Sequence, residues 1–379
     1  MERTEHTQET MTPYAGDPLW NLLTQRWNLS LPITVGLVVT ANAISVFGFG
    51  AVVSYWVHPQ ANIIRVFDPA HLYYALVCVF VYVPSIWLMY LWQPLGIAKT
   101  LHSLRQNDVI VETQDQSLET FTKRMNAALS NWLLLIAVTV VLLVGLLLET
   151  AIVLPTEAGD WGKVFFAFYD KRYYFLVFVP ILYLTAYAAI MLAVKGVFAL
   201  VWFNLLFRRF EARVHPLHPD GVGGFGPLGS LAVKYSLIAV GLGVVGTTLA
   251  VNRVLFGTGR LYLDSLLFWA LYITLTPASL ITPLWSAHQA MVRARNGVID
   301  GVSSEFDKTL ESLRQKPGRV GGSKKAWDKL DEFKARYTFV KDTYPTWPLS
   351  LAAFGRFSLA AALPLVTGIA SIVINVMTR

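Results

Sequence analysis

The sequence predicts an all-α polytopic membrane protein. It has about seven transmembrane helices, a cytoplasmic N-terminus and a small cytoplasmic helical base. Three observations carry that prediction. Of 379 residues, 55% are hydrophobic and 15% charged, whereas soluble domains carry about 25% charge. The apolar residues gather into segments at roughly 33–57, 71–95, 129–154, 173–206, 229–256, 262–287 and 347–377. Each supplies the roughly 20 residues that a helix, rising about 1.5 Å per residue, needs to cross a hydrocarbon core of about 30 Å. The charges are unevenly shared between the two sides.

That asymmetry sets the orientation. With the N-terminus inside, the cytoplasmic pieces 1–32, 96–128, 207–228 and 288–346 hold 21 of the 31 Lys and Arg residues. Residues 288–346 alone hold 12. Basic residues stay on the cytoplasmic side, so the expected topology is N-in and C-out. Topology also explains the net charge of +7 without a nucleic-acid partner. The first 30 residues lack the basic start and short apolar core of a signal peptide. The single cysteine, Cys78, excludes an intrachain disulfide. Tyr55, Trp56, Trp92, Trp132, Tyr173, Tyr174, Trp285 and Trp347 fall near segment ends, at the level where amphipathic rings meet lipid headgroups. A multi-pass protein of a plasma or bacterial inner membrane is expected, with membrane lipids as its surroundings.

The chain divides into a cytoplasmic N-terminal segment (1–32), a six-span bundle with cytoplasmic extensions (33–287), a cytoplasmic helical anchor (288–346) and a final transmembrane helix (347–379). The fourth segment, 173–206, would be about 50 Å long as a helix, longer than the hydrocarbon is thick. Lys195 is placed near the cytoplasmic interface. Phe198, Val201, Trp202, Leu205 and Leu206 continue beyond it at helical spacing. The sixth segment likewise runs on through Met291, Val298, Val302, Phe306, Leu310 and Leu313. The Pro- and Gly-rich run 316–323 reads as a turn or loop. Lys324–Lys341 then carries Trp327, Leu330, Phe333, Tyr337 and Val340 on one helical face. Such stripes either close a base within one subunit or contact other subunits.

The densest polar stretch is 208–224. His215, His218 and Asp220 are spaced HxxHxD, and imidazole with carboxylate suits zinc. Pro216 and Pro219 prevent a helix that would stack the two histidines. A structural turn, in which Asp220 accepts from the amides of the glycine run, and a ligand or gating site are the other readings. Gly221, Gly223, Gly224, Gly226 and Gly229 precede the fifth segment, and helix-start amides hold anions. With Arg208, Arg209 and Arg213 nearby, a lipid headgroup or phosphate is a further candidate. The run lacks the Gly-Lys-Ser/Thr ending of a P-loop. No nucleophile, base and acid share a recognisable constellation, so no enzyme activity and no cofactor are expected. Lys195 is a ligand or gating candidate, because charge inside a membrane is usually functional. Asn42 and Ser45 read as interhelical hydrogen-bonding groups, Lys234 as a span-edge charge, and Asp264 as a partner of Arg253 or Arg260.

In the last segment, Pro364, Thr367, Gly368, Ser371 and Asn375 share one face at spacing near 3.6. Small hydroxylated residues either line water or pack helices closely. Arg356 lies near the start of this segment, where it either anchors at the interface or faces a pore and disfavours cations.

In layout the chain resembles the seven-transmembrane ion channel superfamily, which includes the insect odorant and gustatory receptors. The segments that carry the resemblance are 173–206 and 286–313, which descend below the bundle, the helix 324–341, and the final span 347–377. The resemblance is one of plan across nearly the whole chain. It implies a homo-oligomeric, ligand-gated channel, most simply a tetramer, whose last span lines the conduction path. The pore-lining candidates are then Thr367, Gly368, Ser371, Asn375 and Arg356, and the partners are ions or a small-molecule ligand. Two other function classes remain open on sequence. One is a transporter or lipid-handling protein with a cavity between spans. The other is a non-conducting receptor or scaffold.

Overall fold

The computed structural model describes residues 16–49, 52, 69–112, 117–148, 179–256, 263–315 and 320–378. The protein is an all-α polytopic membrane protein. Its helices are α1 (Pro18–Asn21), α2 (Leu31–Ala43), α3 (Pro69–Val77), α4 (Val83–Gln106), α5 (Leu118–Leu129), α6 (Trp132–Leu148), α7 (Val179–Arg209), α8 (Gly226–Phe256), α9 (Leu263–Gln315), α10 (Val320–Thr343) and α11 (Leu351–Thr378). Wider π-type turns continue α1 over Leu22–Arg26, extend α2 over Ile44–Phe49, and join α3 to α4 over Cys78–Tyr82. A two-residue antiparallel ladder pairs β1 (Ile110–Val111) with β2 (Glu211–Ala212), setting Ile110 opposite Ala212.

Six described helical stretches are long and apolar enough to cross a membrane: Leu31–Gly48, Ala75–Gln106, Leu118–Gly145, Tyr183–Arg209, Gly226–Thr248 and Leu351–Ala370. The expected count of seven is not confirmed. The segment expected at 262–287 is the first half of the 53-residue α9. Its first six side chains, 263–268, lie outside the described residues. The stretch between the expected second and third spans is also more ordered than sequence suggested. Helix α4 runs on to Gln106, and α5 adds an amphipathic helix capped by Ser117, whose hydroxyl accepts from Glu119 N at 3.2 Å. The expected helix 324–341 is α10, which begins four residues earlier and ends two later.

Two apolar cores stack along the same helices. The first joins Val83, Trp87 and Leu91 of α4 to Ala188, Met191 and Leu192 of α7, with Trp20 and Leu23 from the N-terminal segment. The second lies toward the charged end of the bundle. It joins Ile97, Leu101 and Leu104 of α4 to Phe203, Leu206 and Phe207 of α7, Phe121 and Met125 of α5, Leu228 of α8, Leu284 and Met291 of α9, and Phe357 of α11. Helix α8 packs most extensively on α9 and next on α11. The outward faces of α2, α6 and α11 are apolar and exposed, with Ile33, Leu37, Val140, Val141, Leu359 and Leu363 among their residues. In water such faces would be costly to expose; against lipid tails they need no protein partner.

Four tryptophans near helix ends are exposed. They are Trp27, Trp132, Trp285 and Trp347. Just above Trp285, Asn204 of α7 donates from Nδ2 to Thr282 O at 3.0 Å. Lys195 lies nine residues, about 13 Å along the helix, before that contact. Its side chain is buried inside the bundle. The helical stretch of α7 that is long and apolar enough to cross a membrane runs on to Arg209.

Candidate functional site

Between the two apolar cores lies a polar layer. The Lys195 ammonium sits 2.8 Å from Asp17 Oδ2, and the two side chains are 1% and 0% exposed. Tyr187, two turns earlier on α7, donates its hydroxyl to Asp17 Oδ1 at 3.3 Å. Gln93 of α4 is fully buried and donates from Nε2 to Leu192 O at 3.1 Å. Trp87 Nε1 donates to Thr185 Oγ1 at 3.2 Å. Gly196 makes room for this layer, because a Cβ there would lie 3.2 Å from both Gln93 Nε2 and the Tyr235 ring. An ammonium moved alone into such surroundings costs several kcal/mol. Asp17 supplies the compensating charge.

The carboxylate arrives from outside the main bundle. Asp17 is the N-cap of α1, and its Oδ1 also accepts from Leu19 N at 3.1 Å and Trp20 N at 3.2 Å. Pro18 at the first helical position has no N–H to satisfy and holds the helical φ. Gly16 packs so tightly on Ser130, at the α5–α6 joint, that a Cβ would come within 2.7 Å of its carbonyl. Sequence reasoning identified Lys195 but missed Asp17, Tyr187 and Gln93. The Asp-Pro N-cap signature at 17–18 was the available signal, together with the need of a lysine within an apolar run for a nearby acid.

The 208–224 loop forms an elbow at the charged end. Asp220 Oδ1 accepts from Val222 N at 3.0 Å and Gly224 N at 3.1 Å, and Oδ2 from Gly226 N at 2.9 Å, the first residue of α8. His218 Nδ1 lies 2.9 Å from the same carboxylate. Partial burial would raise the Asp220 pKa, but these amides and His218 outweigh it and hold the carboxyl below its ordinary 3.8. The backbone must turn left-handed at Gly221 (φ 67°), Gly223 (φ 70°) and Gly224 (φ 93°), which glycine adopts without steric cost. Because the folded pKa is lowered, this stabilisation is present above the ordinary carboxyl range and fades as pH falls through the folded value. Unfolding of the wild type in detergent should therefore gain an acid-dependent component below about pH 4 that Asp220→Asn lacks.

The elbow also ties the bundle's ends together. Arg213 N donates to Val109 O at 2.8 Å, Asn107 Nδ2 to Gly224 O at 3.0 Å, and the Arg213 guanidinium pairs with Asp108. An open cleft of about 810 Å³ lies beside it, lined by Asn107, Asp108, His215, His218, Val298 and Phe339 among others. His215 Nε2 is 3.4 Å from Asp108 O. The two histidines thus share a cleft, while Asp220 is committed to backbone amides. Among the described residues no three His, Cys, Asp or Glu side chains converge to hold a metal ion. The HxxHxD spacing builds a turn because the prolines and the three amide bonds fix the chain in another geometry.

In α11, Gly368 is buried and faces the bundle: a Cβ would collide with the Trp269 indole of α9 and approach Thr247 Oγ1 of α8 to 3.4 Å. Thr247 donates to Pro364 O at 2.8 Å, and the Tyr272 hydroxyl of α9 bonds Ala361 O. Thr367 is exposed, with its hydroxyl returned to Leu363 O at 2.9 Å. Arg356 is exposed and donates from Nε to Ala352 O at 3.3 Å. The side chains of Ser371, Asn375, Asp264, Arg253 and Arg260 lie outside the described residues. Asn42 donates to Val38 O within its own helix at 2.9 Å, and Lys234 lies 4.7 Å from the Trp92 ring centre. His288 of α9 grips the segment leading into α11. Its Nδ1 is 2.6 Å from Thr346 O, and its ring stacks on Trp347 at 4.3 Å.

No family model matches this chain, no curated protein is similar to it, and no solved structure resembles it.

Proposed function

We propose that this chain is one subunit of a homo-oligomeric ion channel, a tetramer by preference, with α11 beside the conduction path. The upper half of α9 then completes a seven-span topology, with the N-terminus and the base in the cytoplasm. The observation that carries this reading is the one-sided packing of α11. Its Pro364–Gly368 face is engaged by α8 and α9, while Leu351, Leu359, Leu363 and Val366, turned away from that contact, are exposed; Thr367, on the flank of the packed face, is exposed as well. The base adds a second exposed apolar surface: Trp327, Tyr337 and Phe339 of α10 and Val298 of α9 lack full cover within one chain. Contacts between copies would bury both. Thr367 and Arg356 become the path-facing candidates, and Gly368 the residue that holds α11 to its own subunit. Gating by a small ligand would act through the cleft at His215 and His218, which adjoins α9 and α10.

The test has two parts. Particle mass in detergent should exceed that of one chain, since one α11 per particle encloses no path. Purified protein in planar bilayers should give unitary currents that fall when Thr367 is replaced by tryptophan. A strictly monomeric, silent protein overturns the proposal. A second reading, a transporter or lipid-handling protein with a cavity between helices, is favoured by the buried Asp17–Lys195 pair, since intramembrane ion pairs commonly mark ligand paths. Solute flux without unitary currents would select it.

A further inference from the structure

We propose that Lys195 and Tyr187 form a receptor for a carboxylate bearing an apolar tail, and that the chain's own Asp17 segment occupies this receptor in cis. The proposal names a ligand class for the second reading and stands without it, because binding is read here in detergent, where nothing is transported.

The site is built and buried. Each oxygen of one carboxylate meets a donor of α7: Lys195 Nζ at 2.8 Å from Oδ2 and Tyr187 OH at 3.3 Å from Oδ1. Two donors converging on a planar group, with one positive charge between them, match a monoanionic carboxylate. A phosphate dianion would leave net charge buried, which a low-dielectric site disfavours. The present occupant also displays the shape of the ligand. Behind the Asp17 carboxylate come Trp20 and Leu23, buried against Val83, Trp87, Leu91, Ala188 and Met191. A head of one negative charge is followed by an apolar body, which is the plan of an acyl-chain carboxylate.

The occupant is also suited to exchange. Asp17 accepts from Leu19 N and Trp20 N, so its cap bonds lie within its own segment and travel with it. Lys195 belongs to α7 and stays behind in the bundle. Departure of the segment thus removes the Asp17 charge from beside Lys195, and a replacement carboxylate restores a negative charge there. Ligand entry and release of the N-terminal segment become one coupled exchange, in which the ligand's affinity is set against that of the tethered Asp17.

The experiment uses the full chain in detergent micelles with sodium octanoate as probe. Asp17→Asn removes the competing charge while keeping a side-chain acceptor for α1. Octanoate should raise its unfolding temperature by several degrees in a saturable manner, and octanol, which has the tail without the charge, should not. Asp17→Asn combined with Lys195→Met should lose the response. The wild type should need at least tenfold more octanoate than Asp17→Asn, because Asp17 competes. An equal response in the double variant, or none in Asp17→Asn, overturns the proposal. Photolabelling of the wild type with a diazirine-bearing decanoic acid tests it without any variant. Label on the α4 and α7 walls that excess octanoate displaces supports the site, and label confined to the lipid-facing helices overturns it.

Discussion

Lys195→Met should lower the stability of the purified protein by about 3–5 kcal/mol, the loss that follows when one partner of a buried ion pair is removed. The Asp17 carboxylate is fully buried and loses its counter-charge. Unfolding in detergent micelles reads the loss directly. Asp17→Asn should also destabilise, since it leaves the ammonium in the same surroundings. Combining the two should restore much of the stability, because neither charge of the pair is then left buried without the other. The double-mutant cycle measures this coupling. Strictly additive losses would mean that the pair does not interact across the layer. The reciprocal cost adds to the burial of Trp20 and Leu23 in holding a short N-terminal segment to the bundle.

The second large effect is expected at the last helix. Gly368→Leu places carbon where the Trp269 indole lies and crowds Thr247, whose hydroxyl otherwise bonds Pro364 O at 2.8 Å. Overpacking of a close contact costs about 1–3 kcal/mol, and α11 must shift away from α8 and α9. Gly355 lies on the exposed face of the same helix, and a Cβ there would meet no heavy atom within 4 Å. Gly355→Leu should therefore change the stability of the single chain by less than about 0.5 kcal/mol. If the exposed face of α11 meets other copies, Gly355→Leu should instead alter particle mass or current. The two glycines thus separate packing within a subunit from contact between subunits.

Much of the fold was legible because lipid makes periodicity unnecessary. A span must be apolar on nearly every side, so the runs at 33–57, 71–95, 129–154 and 229–256 identify themselves by composition and length. The amphipathic α10 was equally readable, since Trp327, Leu330, Phe333, Tyr337 and Val340 recur at helical spacing. The elbow was legible in its chemistry: Asp220 does accept from the amides of the glycine run. Helix α5 was missed because its apolar face is formed by Leu118, Phe121, Met125 and Leu129 within an otherwise polar stretch. Its burial depends on Trp202 and Phe210, far away in sequence.

Sequence alone determined the solvent, the helical class and the charged end of this protein, because each follows from how many apolar or basic residues stand in a row. Only the tertiary structure decided where Lys195 lies and what answers its charge. Asp17 is 178 positions away, and nothing local links a carboxylate before a four-residue helix to an ammonium in the middle of a span. Which face of α11 is packed was likewise settled by Trp269 and Thr247, residues of other helices. Long-range contacts of this kind are set by how the helices cross, and a linear pattern carries no record of the crossing.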